Sequence, residues 1–268
     1  MKTFRLVGAA LLAVLMCVNF TSCSKDDDAN TETGGNENGN GGAVVVSEKK
    51  LTKITCKDNV WDATYIFSYD SEGRLKTATY NETDGESAYN FDYQYIWGDD
   101  AIVVKEKFSY PDGTTSTDSY SFTLKDGLVQ SSSSEYQNGT YFYNSSNRFI
   151  KAEYDRKDYS INVVWDKDKI VSVKHSDTYS SYYTTITYGE TCKKGYLPLI
   201  VDIIDLGYIL FMAHPEIAGL RTNQLPNTYT SEDFDICATY EFDKDGYISK
   251  IKETDEDGDV TTYTLTWK

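Results

Sequence analysis

Aromatic and aliphatic residues alternate with polar residues over short stretches along most of the chain. The clearest stretch, residues 63–80, reads ATYIFSYDSEGRLKTATY, and a second, residues 240–251, reads YEFDKDGYISKI. In each, the alternation stops at an Asp-x-x-Gly or Asp-x-Asp-Gly turn and resumes within two positions of the glycine. Since successive side chains of a β-strand point to opposite faces, this unit is typical of an antiparallel hairpin with one apolar face.

Hairpin units of this kind repeat from Lys50 to Asp177 and return from Asp233 to Trp267. The turns include Pro111-Asp112-Gly113, where proline presets φ, and Asn138-Gly139, the strongest two-residue hairpin signal in the chain. Short connections predict that strands adjacent in sequence are antiparallel neighbours in space. Because a long open sheet would leave two exposed edges, the sequence predicts an all-β fold, an antiparallel up-and-down meander curled into a soluble barrel.

The alternation breaks once, between Tyr196 and Leu225, where the chain is apolar almost throughout. We predict one helical insert around residues 198–220, beginning at Pro198 and packed against one mouth or the inner face of the barrel. Pro215 ends this helix or begins a second short one, and Gly219 stops it.

The first 22 residues have the pattern of a lipoprotein signal peptide. Lys2 and Arg5 precede an apolar run, residues 6–18, that is too short for a transmembrane helix. Phe-Thr-Ser follows, and then Cys23, which is the predicted lipid attachment site. The alternative is ordinary cleavage near Ser22.

The segment after the signal peptide, residues 23–43, is an acidic tether rich in Gly and Asn, too poor in apolar residues to fold. Its start, Ser-Lys-Asp-Asp-Asp at 24–28, resembles the short acidic signal that directs Bacteroidetes lipoproteins to the cell surface. We therefore predict an outer membrane lipoprotein, exposed at the cell surface, with a single β domain over residues 44–268.

The charge balance restricts the partners of this domain. The chain carries 26 Lys and Arg against 42 Asp and Glu, a formal net charge of −16 at pH 7. Such an acidic surface argues against nucleic acid and anionic lipid as partners, so the lipid anchor is the one membrane contact predicted.

Several segments of the chain together resemble a known family. The turn units at 69–75 and 242–248, the apolar insert ending in Leu225-Pro226, and the lipoprotein leader are similar to the Bacteroidetes lipoproteins described as domain of unknown function 4595. The resemblance covers nearly all of residues 45–268 and implies a porin-like strand topology, with no activity that carries over. The polar strand faces are rich in Thr, Ser, Lys and Asp, which favours a water-soluble barrel with an aromatic interior over a lipid-facing one.

Three tryptophans, Trp61, Trp97 and Trp165, are candidates for stacking on sugar rings, because a flat apolar face with a polar rim suits a pyranose. Their alternative role is cross-strand packing inside the barrel. Asp202 and Asp205 form the one carboxylate pair of interest, since they lie in the apolar insert. They are either hydrolytic carboxylates or a solvent-facing stripe on a helix.

Other chemistry-bearing residues give weaker signals. His175 and His214 lie in no catalytic motif, so we interpret His175 as a surface strand residue and His214 as a helix-end residue. Residues 243–246 and 255–259 resemble fragments of a calcium loop but lack the later Glu and the flanking helices, so we interpret them as turn residues. The β domain contains three cysteines, Cys56, Cys192 and Cys237, so at least one of their thiols is unpaired within the domain.

We predict no metal and no cofactor. The sequence favours a non-enzymatic binding or interaction module for a glycan or an envelope protein. A carboxylate-based hydrolase and a purely structural surface protein are the alternatives.

Overall fold

The computed structural model describes residues 13–16, 48–59, 61–84, 87–156, 158–191, 193–199, 208–220 and 224–268. Sixteen of its strands form one closed barrel. The barrel strands are β2 (Leu51–Lys57), β3 (Trp61–Tyr69), β4 (Leu75–Asp84), β5 (Ser87–Trp97), β6 (Ala101–Ser109), β7 (Thr115–Lys125), β8 (Leu128–Ser133), β9 (Asn138–Tyr143), β10 (Phe149–Tyr154), β11 (Ser160–Asp166), β12 (Lys169–Ser176), β13 (Ser181–Thr191), β15 (Gln224–Thr230), β16 (Asp235–Phe242), β17 (Ile248–Asp255) and β18 (Val260–Trp267).

Every barrel strand pairs antiparallel with its neighbour in the chain, and β18 pairs with β2 to close the ring. The one departure from sequence order is between β13 and β15, where the insert leaves the wall. The predicted all-β antiparallel meander and its curling into a barrel are therefore confirmed. Closure pairs the first and last strands, so neither presents an open edge.

The two ends of the barrel differ. The insert leaves and returns at the end that also holds the turns at 70–74, 144–148 and 243–247, which we call the insert end. The turns at 110–114 and 134–137 lie at the opposite end, which we call the mouth.

The wall is apolar inside and polar outside. On β3, for example, Ala63, Tyr65 and Phe67 are buried, whereas Thr64 and Ser68 face outward. Isolated apolar side chains such as Ile66 do lie on the outer face, among Thr, Ser, Lys and Asp. This arrangement is the reverse of a lipid-facing barrel, which carries its apolar band on the outside.

The insert occupies the interior. Its described residues form β14 (Tyr196–Leu199), α1 (Tyr208–Ala213) and a 3₁₀ turn, Pro215–Ala218. Residues 209–213 of α1 are buried, and the Phe211 ring lies 5.5 Å from the ring of Phe122 on β7. In porins, the side chains of a sixteen-stranded wall do not fill the interior, and a water channel remains. In this protein, the insert fills part of that space.

The insert differs in detail from the sequence expectation. Pro198 lies in the short strand β14 and not in a helix. The described helix α1 is Tyr208–Ala213, and residues 200–207 between the two elements lie outside the described part of the chain. The second short helix does begin at Pro215, and Gly219 ends it with a φ of 62°. A side chain at Gly219 would place Cβ only 2.5 Å from the carbonyl oxygen of Asn147, so glycine is required there.

A short strand β1 (Ala13–Met16) pairs with β14 outside the barrel sheet. It lies within the predicted signal peptide, whose cleavage stays a prediction. No helix among the described residues has the length and apolar character needed to cross a membrane.

A β-bulge recurs at the insert end. The pairing register shifts at seven of the eight described strand pairs that turn there, and the pair β5–β6 is the exception. The pairs that turn at the mouth show no shift in their described registers. Because bulges bend and twist a strand, these distortions are concentrated at the insert end of the described barrel.

In each of these seven pairs, one bulge is matched by one aromatic side chain on the following strand. A bulge interrupts the ladder, and here an indole N–H or a phenol O–H donates to the carbonyl of the first bulged residue at 2.6–2.8 Å. We call these bonds the aromatic clasps. The donors are Tyr69, Trp97, Tyr143, Trp165, Tyr188, Tyr240 and Trp267, and the acceptors are Leu51, Leu75, Val129, Phe149, Ile170, Pro226 and Ile248.

The one described pair at the insert end without a bulge, β5–β6, also lacks the aromatic donor. The pair β5–β6 has no bulge at Ile102, and the following strand β7 carries Leu124, which has no donor, at the matching position. The aromatic residue is thus present where a bulge frees a carbonyl and absent where the ladder is intact.

The turns of the repeated unit follow the predicted chemistry. Asp70 Oδ1 accepts from the backbone N–H of Glu72 at 2.9 Å and of Arg74 at 3.0 Å, and Gly73 has a φ of 79°. Asp243 and Asp255 accept in the same way in their own turns, as expected for turn residues.

If the aromatic clasps stabilise the barrel, removing the hydroxyl oxygen of one clasp tyrosine should lower the stability of the protein. Tyr188→Phe removes the donor to the buried Ile170 carbonyl, so we expect the free energy of unfolding in urea to fall by about 1–3 kcal/mol. Tyr183→Phe, on the same strand but 50% exposed, should change it by less than about 0.5 kcal/mol. Equal effects of the two substitutions would show that the clasp adds nothing.

The insert is attached to the wall through His214, which predicts a second stability effect. The ring Nε2 accepts from the buried Leu75 N–H at 2.9 Å, and Nδ1 lies 2.7 Å from Glu216 Oε1. His214→Ala leaves that N–H without an acceptor, so we expect a loss of about 1–3 kcal/mol in urea unfolding. Glu216→Gln keeps an acceptor for Nδ1 and should lose much less; a Glu216→Gln protein as unstable as His214→Ala would contradict this assignment.

Candidate functional site

A notch in the wall opens the barrel at the mouth. Strands β4 to β7 are 9–11 residues long, whereas β8, β9 and β10 have six residues each. The first half of β7, residues 115–120, pairs with β6 but lies beyond its described pairing with β8. The long strands therefore project past the short ones, and their inner face is accessible from the side.

A cavity of about 450 Å³ lies in this notch. Wall residues Phe91, Tyr93, Glu106, Asp118 and Tyr120 line one side of it, and Tyr208 and Ile209 of α1 also contribute. The rim comes from the turns after β8 and β10, with Ser134, Tyr136, Gln137 and Arg156. The volume lies within the range of small-ligand sites, and apolar rings with a few polar groups are the usual lining of such sites.

A series of aromatic rings leads from solvent into this cavity. Tyr89, Phe91 and Tyr93 alternate along the inner face of β5, and Phe91 and Tyr93 are near parallel, with 8° between their planes. Phe108 of β6 lies against Phe91 with ring centroids 4.3 Å apart. Tyr89 and Phe91 are half-buried, whereas Tyr93 is only 7% exposed.

Two carboxylates face each other among these rings. Glu106 and Asp118 are direct cross-strand partners on β6 and β7, in phase with the inward-facing Val104 and Tyr120. Burial, and secondarily repulsion by Asp118, raises the pKa of Glu106. No described residue donates a hydrogen bond to the Glu106 carboxylate, and Asp118 Oδ1 accepts from the Ser119 backbone N–H at 2.6 Å.

Tyrosines surround the inner end of the cavity. Burial raises the pKa of Tyr93, Tyr95 and Tyr120, and the phenol of Tyr208 adds to the rise in each case. These phenols stay neutral at physiological pH, so they act as donors and acceptors of hydrogen bonds and carry no charge.

A second aromatic group lies elsewhere along the mouth. The His175 ring stacks on Tyr182 with centroids 4.6 Å apart, and its Nδ1 is 2.7 Å from the Tyr159 hydroxyl. Burial lowers the pKa of His175 to about 4, so the imidazole is neutral near pH 7. His175 is thus a packed interior residue, in contrast to the surface position that the sequence favoured.

A third acid, Glu253 on β17, is buried apart from the cavity. It is 6% exposed, and its Oε1 has no hydrogen-bond partner among the described residues. Burial raises its pKa to about 8, and a hydrogen bond with Tyr263 opposes the rise. The carboxyl is therefore mostly protonated at pH 7.

The three tryptophans singled out from the sequence lie apart from this cavity. Trp97 and Trp165 are half-buried at the insert end, where their indoles form aromatic clasps, and Arg148 lies over the Trp165 ring at 4.9 Å. Trp61 is half-buried at the start of β3, and its backbone N–H donates to Asp58 Oδ1. The structure therefore does not gather them into one platform, and ligand stacking on them stays a prediction.

Several predicted residues lie outside the described part of the chain: Cys23, Asp202, Asp205 and Cys192. Of the other cysteines, Cys56 is buried inside the barrel, Cys237 is exposed, and both are free thiols. Among the described residues, no three His, Cys, Asp or Glu side chains are placed to hold a metal ion.

Sequence reasoning missed the pair formed by Glu106 and Asp118. A signal was present, because each acid occupies the apolar phase of an alternating strand: Glu106 follows Ile102 and Val104, and Asp118 precedes Tyr120 and Phe122. That phase places both side chains inside the barrel. Only the strand register shows that they face each other.

In structure, the chain is similar to a porin-like protein from Bacteroides uniformis, with a TM-score of 0.58 and 15% sequence identity over 81% of this chain and 96% of that one. The fold is porin-like. A second porin-like protein, from Bacteroides vulgatus, covers 82% of this chain and 99% of its own at 11% identity, but its TM-score of 0.33 is too low to carry an argument.

No family model matches the chain, and no curated protein does. The porin-like fold is therefore shown, whereas membership of domain of unknown function 4595 stays a prediction.

Glu253 predicts that the stability of the barrel depends on pH. Its folded-state pKa of about 8 lies above the ordinary value of 4.5, so the folded protein holds this proton more tightly than the unfolded chain does. The contribution of this group to stability is greatest below pH 4.5 and is lost as the pH rises through 8.

At pH values above 8, Glu253→Gln removes the cost of a buried charge, and we expect its Tm to rise by about 2–4 °C for each kcal/mol of that cost. Below pH 4.5, where Glu253 is protonated, we expect the Tm to be nearly unchanged. Glu232→Gln, at an exposed position, should reproduce the wild-type pH profile. Thermal unfolding of the three proteins across this pH range measures the effect. A wild-type slope in Glu253→Gln would overturn the assignment.

Proposed function

We propose that this protein is a surface lipoprotein whose barrel binds a glycan in the mouth cavity. The observation that carries the proposal is the aromatic series on β5 and β6, which runs from half-exposed Tyr89 to buried Tyr93 and ends at two inward carboxylates.

The chemistry of a sugar fits this lining. The face of a pyranose is an apolar surface of C–H groups, which packs against a flat ring such as Phe91, while its edge carries hydroxyl groups. Glu106 and Asp118 are acceptors for those hydroxyls, and the tyrosine phenols are donors and acceptors. A cavity of about 450 Å³ has room for a small number of sugar units.

The surface location rests on separate support. The leader, with Cys23 as its predicted acylation site, and the acidic tether suit an anchored domain. The outward strand faces carry Thr, Ser and Lys, as a wall in contact with water does. The structural neighbour from a Bacteroides species is described as porin-like, which is compatible with a place at the outer membrane.

A hydrolase is the second candidate, because Glu106 has a raised pKa beside a second carboxylate. In glycosidases, however, the two carboxyl groups flank the scissile bond. Glu106 and Asp118 come side by side from adjacent strands of one wall, so both approach a ligand from the same side. This geometry favours binding over cleavage.

A glycan-array screen of the mature chain tests the proposal. We expect reproducible binding that weakens about ten- to a hundredfold in Phe91→Ala, because the stacking surface of one ring is lost. Tyr136→Ala, at a rim position that is 63% exposed, should weaken binding without loss of fold. Substitutions of Trp97 or Trp165 are unsuitable here, since they remove aromatic clasps.

Tyr183→Ala is the matched control, because it removes an exposed tyrosine from the outer wall. It should bind as the wild type does. A folded protein that binds no glycan on the array would overturn the proposal, and release of shorter sugars from a bound oligosaccharide would favour the hydrolase.

A further inference from the structure

We infer that the mouth cavity selects glycans that carry a free, protonated amine, with oligomers of glucosamine as the model ligand. This inference rests on the proposed function and names the ligand class of the same cavity.

The two acids are placed directly opposite each other on adjacent strands. Like charges directly opposite each other on neighbouring strands are destabilising. Glu106 and Asp118 occupy such positions, and they do so in the inward phase of β6 and β7, next to Val104 and Tyr120. A local rule broken in this way without a compensating partner is typical of a functional site.

The acid pair has no basic side chain paired with it among the described residues, since no Lys or Arg there forms an ion pair with Glu106 or Asp118. Two carboxylates within reach of each other bind one ammonium better than they bind a neutral hydroxyl, because each hydrogen bond is then charge-assisted. An ammonium group held there also reduces the repulsion between the two acids.

Aromatic rings lie around the two acids. Phe91, Tyr93 and Tyr120 line the cavity together with Glu106 and Asp118. The face of an aromatic ring attracts a cation, and the attraction increases when water is excluded. Rings and carboxylates combined suit a cation that is attached to a flat, partly apolar body, as the amine of glucosamine is.

The rim does not offset this preference. Arg156 is the basic residue of the lining, and it is exposed on the turn after β10. Glu106 is half-buried, so the charge met inside the notch is negative. The same charge disfavours acidic sugars, such as uronic acids.

Three oligosaccharides of equal length test the inference by calorimetric titration of the mature chain. They are glucosamine pentamer, N-acetylglucosamine pentamer and cellopentaose. We expect the glucosamine pentamer to bind about tenfold more tightly than the other two at low salt. The difference should shrink as salt is added, because the contact is ionic.

Glu106→Gln is the deciding variant. It keeps the shape of the side chain and relieves the repulsion with Asp118, so it should fold at least as stably as the wild type. We expect it to bind all three pentamers with similar affinity. Asp112→Asn, at an exposed turn position at the mouth, changes the net charge equally and should keep the tenfold preference.

The outcomes separate the two proposals. Equal binding of the three pentamers by the wild type would overturn the amine preference and leave the glycan site standing. A preference that persists in Glu106→Gln would assign it to the overall negative charge, which also overturns the inference. No binding of any pentamer, together with a blank array, would overturn both proposals.

Discussion

A sixteen-stranded wall encloses a wide interior, and a stable barrel without a water channel must fill it. In this protein the large inward aromatic side chains fill part of the space and the insert fills another part. The buried residues 209–213 and the bond from Leu75 N–H to His214 Nε2 show the insert packed as core. The polarity of the wall follows from the same constraint, since an interior of rings leaves the Thr, Ser and Lys of each strand to face outward.

The aromatic clasps connect this packing to the curvature of the wall. Bulges bend the strands at the insert end, but a bulge also interrupts the ladder and frees a backbone carbonyl, which costs stability where it is buried without a partner. A tyrosine or tryptophan on the next strand satisfies that carbonyl and fills space at the same time. Where β5 and β6 pair without a bulge, Leu124 occupies the matching position and offers no donor, so the donor and the freed carbonyl occur together.

The candidate site lies at the mouth, where the inward side chains and the insert no longer fill the barrel interior. Tyr208 and Ile209 of α1 line the cavity, and the short strands β8 to β10 leave the inner face of β7 open beside it. The features that stabilise the insert end are bulges, clasps and a buried insert. The mouth instead has regular pairing, half-exposed rings and two adjacent carboxylates. The clasps are thus at the insert end, and the proposed binding site is at the mouth.

The sequence by itself determined the hairpins, their Asp-Gly turns, the inward and outward faces of each strand, and the place where the pattern is interrupted. These are local properties, set by the two-residue period of a strand and by turn chemistry. Only the tertiary structure decided which aromatics serve the wall and which line a cavity, because Trp97 and Tyr93 occupy the same phase of the same strand. It also decided that Glu106 faces Asp118, since cross-strand register depends on bulges and on the closure of the whole ring.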